Sequence, residues 1–139
     1  MQLTVTTPRG SLVQIEVDEI AAPGAVGEFG VLPGHIPFMA ALKPGVLFYR
    51  SKDGPRFLAV GDGVLQVARS GDSDKIAVLV DRGEAARDID RDTAAQELAA
   101  VDAELAKTKA DTAAEVKVLL GRRAWAAARV DAANRGAGR

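Results

Sequence analysis

Between Met1 and Val80 the apolar residues recur at every second position or in short runs, and after Asp81 they recur every third or fourth. No single regular element satisfies both periods, so the chain must fold as a strand-forming segment followed by a helical one. In the first segment Leu3 and Val5, then Val13, Ile15 and Val17 with Gln14, Glu16 and Asp18 between them, put one face of each strand on a core and the other in water. The runs Val46 to Tyr49, Phe57 to Val60, Val64 to Val67 and Ile76 to Val80 follow, separated by the turn chemistry of Lys52-Asp53-Gly54-Pro55, Gly61-Asp62-Gly63 and Ser70-Gly71-Asp72-Ser73. Short strands at this spacing predict the β + α class, an N-terminal antiparallel β-sandwich followed by a C-terminal α-helical hairpin.

The boundary falls within 81–88, where glycine and proline disappear and alanine becomes frequent, dividing the chain into a sandwich over 1–84 and a helical hairpin over 85–139. Aspartates at Asp88 to Asp90 suit the start of a first helix, with Leu98, Val101 and Leu105 on one stripe. Lys107 to Asp111 reads as a linker. Thr112 followed by Glu115 forms a capping-box pattern opening a second helix, whose inward stripe is predicted as Val116, Leu120, Ala124 and Ala127. Two helices joined by a short link favour an antiparallel hairpin, and the glycine-rich tail from Asn134 to Arg139 is expected to fray.

Such a seam, mostly alanine, buries little apolar area. At about 25 cal/mol per Å² it offers a few kcal/mol against ordering costs of roughly 1–2 kcal/mol per residue. The hairpin must therefore lean on the sandwich or on a partner. Contacts that weak are replaceable and suit a switch, although the same pattern fits helices permanently packed on a sheet.

Composition narrows the function. A chain of 139 residues holds one good core and an appendage, and a net charge of -1 argues against a nucleic-acid or membrane-surface partner. With no cysteine, disulfides, thiolate metal sites and thiol nucleophiles are excluded. The N-terminal residues carry neither a signal nor a transit pattern, and no apolar run approaches the ~20 residues that cross a bilayer. The expectation is a mature chain starting at Met1 in the cytosol, reaching a membrane only through a complex. His35, the one histidine, sits beside a Pro-Gly turn without a carboxylate pair, a Ser/His/Asp order or a metal-ligand cluster around it. Gly61-Asp62-Gly63 lacks the length and the lysine of a phosphate-cradling loop.

The densest motif runs from Pro23 to Gly45, PGAVGEFGVLPGHIPFMAALKPG. Its glycines and prolines predict a rigid set of turns with Glu28 and Phe29 at a loop tip, and an anonymous sandwich could use the same turns as scaffolding. In order and spacing, Gly27-Glu28-Phe29-Gly30, Pro33-Gly34-His35 with Pro37, and Lys43-Pro44-Gly45 resemble the signature of the epsilon subunit of bacterial F-type ATP synthases. Phe57 to Val67, the Ile76 to Val80 segment and Glu84 preceding Ile89-Asp90 continue the likeness over nearly the whole chain. Ser70 to Asp74 is a slightly lengthened turn by comparison, and the helices match in character only.

The resemblance implies a non-catalytic rotor subunit of the central stalk in a proton-translocating enzyme, at the cytoplasmic face of the bacterial inner membrane. It couples c-ring rotation to the gamma shaft. It implies c-ring contact at Glu28, Phe29 and Gly30, gamma contact at Pro33, Gly34 and His35, and inhibition of ATP hydrolysis by helices that extend into the alpha/beta head. Arg122, Arg123 and Arg129, with Arg135, are the candidates for that inhibition; the rival is a solvated face or pairing with Glu97, Asp102 and Glu104 on the first helix. Some members bind ATP through an I/L-D-x-x-R-A motif. Glu84, Ile89, Asp90 and Ala94 match such a site, but Thr93 stands where the arginine belongs, so no cofactor and no metal are expected. The alternatives are a free-standing β-sandwich binding module with a helical tail and, less favoured by any constellation, a small enzyme.

Overall fold

The computed structural model describes residues 1–108 and 112–137. Ten strands come first among them: β1 (Gln2–Thr7), β2 (Gly10–Glu16), β3 (Glu19–Gly24), β4 (Gly27–Val31), β5 (Phe38–Leu42), β6 (Gly45–Ser51), β7 (Gly54–Val60), β8 (Gly63–Ser70), β9 (Ser73–Val80) and β10 (Gly83–Ala85). A 3-10 turn at Ala86–Asp88 leads to α1 (Arg91–Lys107) and α2 (Ala113–Ala137).

The strands pair in the order β10-β7-β6-β3-β5-β8-β9-β1-β2, with β4 on β3. The joint between β3 and β5 is a single pair, Gly24 with Leu42, so the path folds there into two half-sheets. Leu47, Leu58, Val60 and Ile20 of one half meet Leu3, Val5, Leu65, Ile76 and Val78 of the other, all essentially without exposure. One pairing departs from the antiparallel expectation: β1 runs parallel to β9, because the N-terminal strand enters the sheet beside the last long strand rather than through a hairpin.

The other face of β6 and β7 carries Val46, Phe48, Phe57 and Ala59, covered by Ala128, Ala132 and Ala133 of α2. Strands buried on both faces read as unbroken apolar runs, which is why these two never alternated in the sequence. α2 lies against β6 and β7, and α1 packs mainly on α2. The result is three layers: half-sheet, half-sheet, helices.

Asp90 caps α1, its Oδ1 accepting from the Thr93 amide at 3.0 Å, and Thr112 caps α2 by accepting from the Glu115 amide at 3.2 Å. The predicted α1 stripe is present, with Val101 buried and Leu98 and Leu105 half-buried. The α2 stripe is present in part: Val116, Ala124 and Ala127 are half-buried, but Leu120 is 52% exposed, and the fully buried positions are Leu119, Ala126, Ala128, Ala132 and Ala133. An alanine-rich helix is apolar on every side, so its period does not fix its rotation. Nor does the tail fray at Asn134, since α2 continues to Ala137. Gly136 there is a contact residue, because a Cβ on it would lie 2.7 Å from Ala86 Cβ. Of the predicted linker, 109–111 lie outside the described residues, as do the last two residues of the tail. Among the described residues no helix is long and apolar enough to cross a membrane.

Candidate functional site

Directly paired residues on adjacent strands share a face. On the outer face of the half-sheet away from the helices, one row is Met39, Gln66, Ala77, Thr4 and Gln14, and the next is Ala41, Val64, Leu79, Thr6 and Ser11. Neither row contains a charge, in a chain where 27% of residues are charged. Met39 is 64% and Leu79 52% exposed. Ile76 to Val80 is as continuously apolar as the β6 and β7 runs, yet one of its faces has no cover. This face was not singled out from the sequence; the signal was the missing alternation of that run.

The motif from Pro23 to Gly45 is built of strands as well as turns, which corrects the loop-tip expectation. Glu28 and Phe29 lie on β4, opposite Pro23 and Ala22, and the hairpin tip is Ala25 and Val26, with Val26 fully exposed. Glu28 and Gly30 point to solvent, whereas Phe29 is half-buried against the core. Its ring meets Phe38 edge-on at 5.7 Å between centroids, and Phe38 in turn packs on His35 at 4.7 Å. The proposed ring-contact and shaft-contact residues are therefore joined through Phe38, which the sequence reading had not marked.

Pro33 and Gly34 form a turn closed by the His35 amide donating to the Leu32 carbonyl at 3.1 Å, with Gly34 at φ +83°. That conformation needs glycine. His35 Nδ1 lies 2.8 Å from the Ile36 carbonyl oxygen, so this nitrogen carries the proton and the histidine serves to brace the loop. Leu32 and Ile36 project from it, 58% and 73% exposed.

All three candidate inhibitory arginines are paired within the folded chain. Arg122 meets Glu104 at 3.0 Å and Arg123 meets Asp102 at 2.6 Å, both pairs about half exposed. Arg129 is 15% exposed and donates to Glu84 at 3.0 Å and to Glu97. Glu97, Asp102 and Glu104 are the partners named by the rival reading; Glu84, on β10, is an addition to it. Burial pulls the Arg129 guanidinium downward, but the hydrogen bond and charge of Glu84 and the charge of Glu97 outweigh it and hold the group above its ordinary value. Arg135 stacks over Phe57 at 5.0 Å.

The residues of the degenerate nucleotide motif are likewise occupied within the chain. Ile89 and Ala94 are buried in the helix-sheet core, Asp90 caps α1, and Glu84 holds Arg129. The Thr93 amide lowers the Asp90 carboxyl below its ordinary value. A crevice of about 470 Å³ separates the sandwich from the end of α2, lined by Tyr49, Phe57, Ile89 and Ala133 with Arg56 and Arg87 among its residues. It holds no nucleophile-base pair, and no group of three metal-ligating side chains occurs among the described residues.

Residues 1–86 match the family model for the beta-sandwich domain of the ATP synthase delta/epsilon chain. The chain is 40% identical over 105 residues to the ATP synthase epsilon chain of Citrifermentans bemidjiense (strain ATCC BAA-1014 / DSM 16622 / JCM 12645 / Bem), covering 76% of this chain and 73% of that one. It is 44% identical over 94 residues to the epsilon chain of Anaeromyxobacter sp. (strain K), covering 68% of each. A chain in the mitochondrial ATP synthase of Euglena gracilis, an OSCP/F1/c-ring assembly, superimposes with a TM-score of 0.76 at 22% identity over 95% of this chain and 79% of that one. One from the central stalk and c-ring of Tetrahymena thermophila gives 0.59 at 16% identity, covering 96% of each. At such identities the two structures show a shared fold.

Proposed function

The chain belongs to the ATP synthase epsilon-chain family, and from that premise we propose that it is a non-catalytic rotor subunit that joins the gamma shaft to the c-ring. The observation that carries this reading is the pair of uncharged rows on the outer face of β5, β8, β9, β1 and β2, on the opposite side of the sandwich from the helices and bordered by Lys75 and Glu16, together with the exposed Leu32 and Ile36 of the Pro33–Gly34 loop. An apolar, rigid face of this kind suits a permanent subunit interface. Gamma is its occupant in this reading. Glu28 and Gly30, exposed on β4 beside the Val26 tip, are left to meet the ring, with Phe29 acting as their inner support.

The hairpin is the regulatory arm. In the folded state its arginines are neutralised by Glu84, Glu97, Asp102 and Glu104, so they reach acidic surface on the catalytic head only after the helices part. The two exposed pairs contribute little, about 0–1 kcal/mol each, and do not prevent this. Folded and extended arms are thus the permissive and inhibitory states.

Co-purification tests the assignment. The tagged chain, isolated from gently solubilised membranes of its own host, should bring gamma, the c-ring and the alpha/beta head with it. Recovery of the chain alone would favour a free-standing binding module.

A further inference from the structure

The Pro33–Gly34 turn has a backbone group that the turn itself leaves unsatisfied. In a turn closed from His35 to Leu32 with Gly34 at positive φ, the Gly34 amide points away from the closing hydrogen bond. Asp74 Oδ2 accepts from it at 2.7 Å across a separation of 40 residues, and Asp74 Oδ1 accepts from Arg69 Nη1 at 3.2 Å. Asp74 is 8% exposed, one of two buried polar side chains among the described residues. It sits beside the tip of the β8–β9 hairpin, opposite Arg69 and one pair in from the Gly71-Asp72 turn.

A buried carboxylate is costly unless its oxygens are satisfied, and here one oxygen is assigned to the loop and the other to a counter-charge. Removing the acceptor leaves the Gly34 peptide free to turn over. Leu32 and Ile36, the exposed apolar residues of the loop, would then lose their fixed direction, and His35 its seat on Phe38.

We infer that Asp74 is a positioning residue for the subunit interface, holding the Leu32–Ile36 loop in the attitude that gamma receives, with Arg69 fixing the other carboxylate oxygen in place. This rests on the reading of gamma as the partner of that loop.

The test measures binding of the complete chain to purified gamma alongside amide hydrogen exchange at Gly34. Asp74→Ala should accelerate exchange at Gly34 and His35 and weaken gamma binding about tenfold, the scale of one charge-assisted hydrogen bond. Asp74→Asn, which keeps an acceptor oxygen, should restore binding to within about threefold and return slow exchange at Gly34. Faster exchange with unchanged gamma affinity in Asp74→Ala would overturn the positioning role while leaving the partner assignment standing. Equal losses in Asp74→Ala and Asp74→Asn would also overturn it, since the acceptor would then not be what matters. Failure of the unmodified chain to bind gamma would overturn the partner assignment and this inference together.

Discussion

Arg129 donates through Nε to Glu84 on β10 and through Nη1 to Glu97 on α1, so one side chain of α2 fastens both the sandwich and the neighbouring helix. It is far better buried than Arg122 or Arg123, and the energetics of the folded arm concentrate there. Arg129→Ala should therefore loosen the docked hairpin by about 1–2 kcal/mol, at the lower end for a buried pair because Glu97 is half exposed. Hydrogen exchange should quicken along α1 and α2 while the core of β6 and β8 stays protected; Arg122→Ala should change neither. Equal effects of the two substitutions would contradict this ranking.

Two glycines in α2 should respond in opposite directions. Nothing lies within 4 Å of a Cβ placed on Gly121, so Gly121→Ala should stabilise the helix by about 0.5–1 kcal/mol. On Gly136 the added methyl would meet Ala86, and the overpacking cost of about 1–3 kcal/mol exceeds any gain in helix propensity. Thermal melts followed by circular dichroism at 222 nm report both changes.

Asp90 gives the arm an acid limit. Its carboxyl is held below the ordinary 3.8 chiefly by the Thr93 amide, against an opposing desolvation cost. A folded-state value lowered in this way supplies stability that is complete above the ordinary value and is lost as pH falls through the depressed one. The first turn of α1 should thus stay closed from neutral pH down to about 4 and open below it, seen as faster exchange at the Thr93 amide. Asp90→Asn should keep the cap and abolish the acid step.

Nucleotide sensing is not expected. Thr93 supplies no guanidinium, and Glu84, Asp90, Ile89 and Ala94 already serve the folded arm. Calorimetric titration of the chain with ATP should give no heat of binding in the micromolar range. A micromolar isotherm would contradict this.

What the sequence made legible follows from where patterns are local. β1, β2, β8 and β9 were readable because Leu3/Val5, Val13/Ile15 and the Gly61 and Gly71 turns speak for themselves within a few residues. β3, β4 and β5 were hidden, since Pro23, Gly24, Gly27 and Gly30 carry turn chemistry into segments that tertiary pairing makes extended. The rotation of α2 was lost because Leu119 and Leu120 are adjacent, with Val116 and Val118 just before them and an alanine-rich stretch only from Ala124 onward, so no single stripe stands out. The arginine pairs across the two helices were anticipated only as a rival, because charge spacing on one helix does not reveal which face meets the other, and the Arg129–Glu84 pair to β10 was not anticipated. Asp74 was passed over as turn residue, its partner being 40 positions away.

The most direct measurement is the affinity of the chain for isolated gamma with and without Leu79→Lys. Leu79 is 52% exposed in the middle of an uncharged cross-strand row, so the substitution should cost folding no more than about 0.5 kcal/mol. A buried, unpaired ammonium in the interface should lower gamma affinity at least tenfold, with the melting curve unchanged. Unaltered affinity would place gamma elsewhere on the molecule and remove the foundation of the proposed interface.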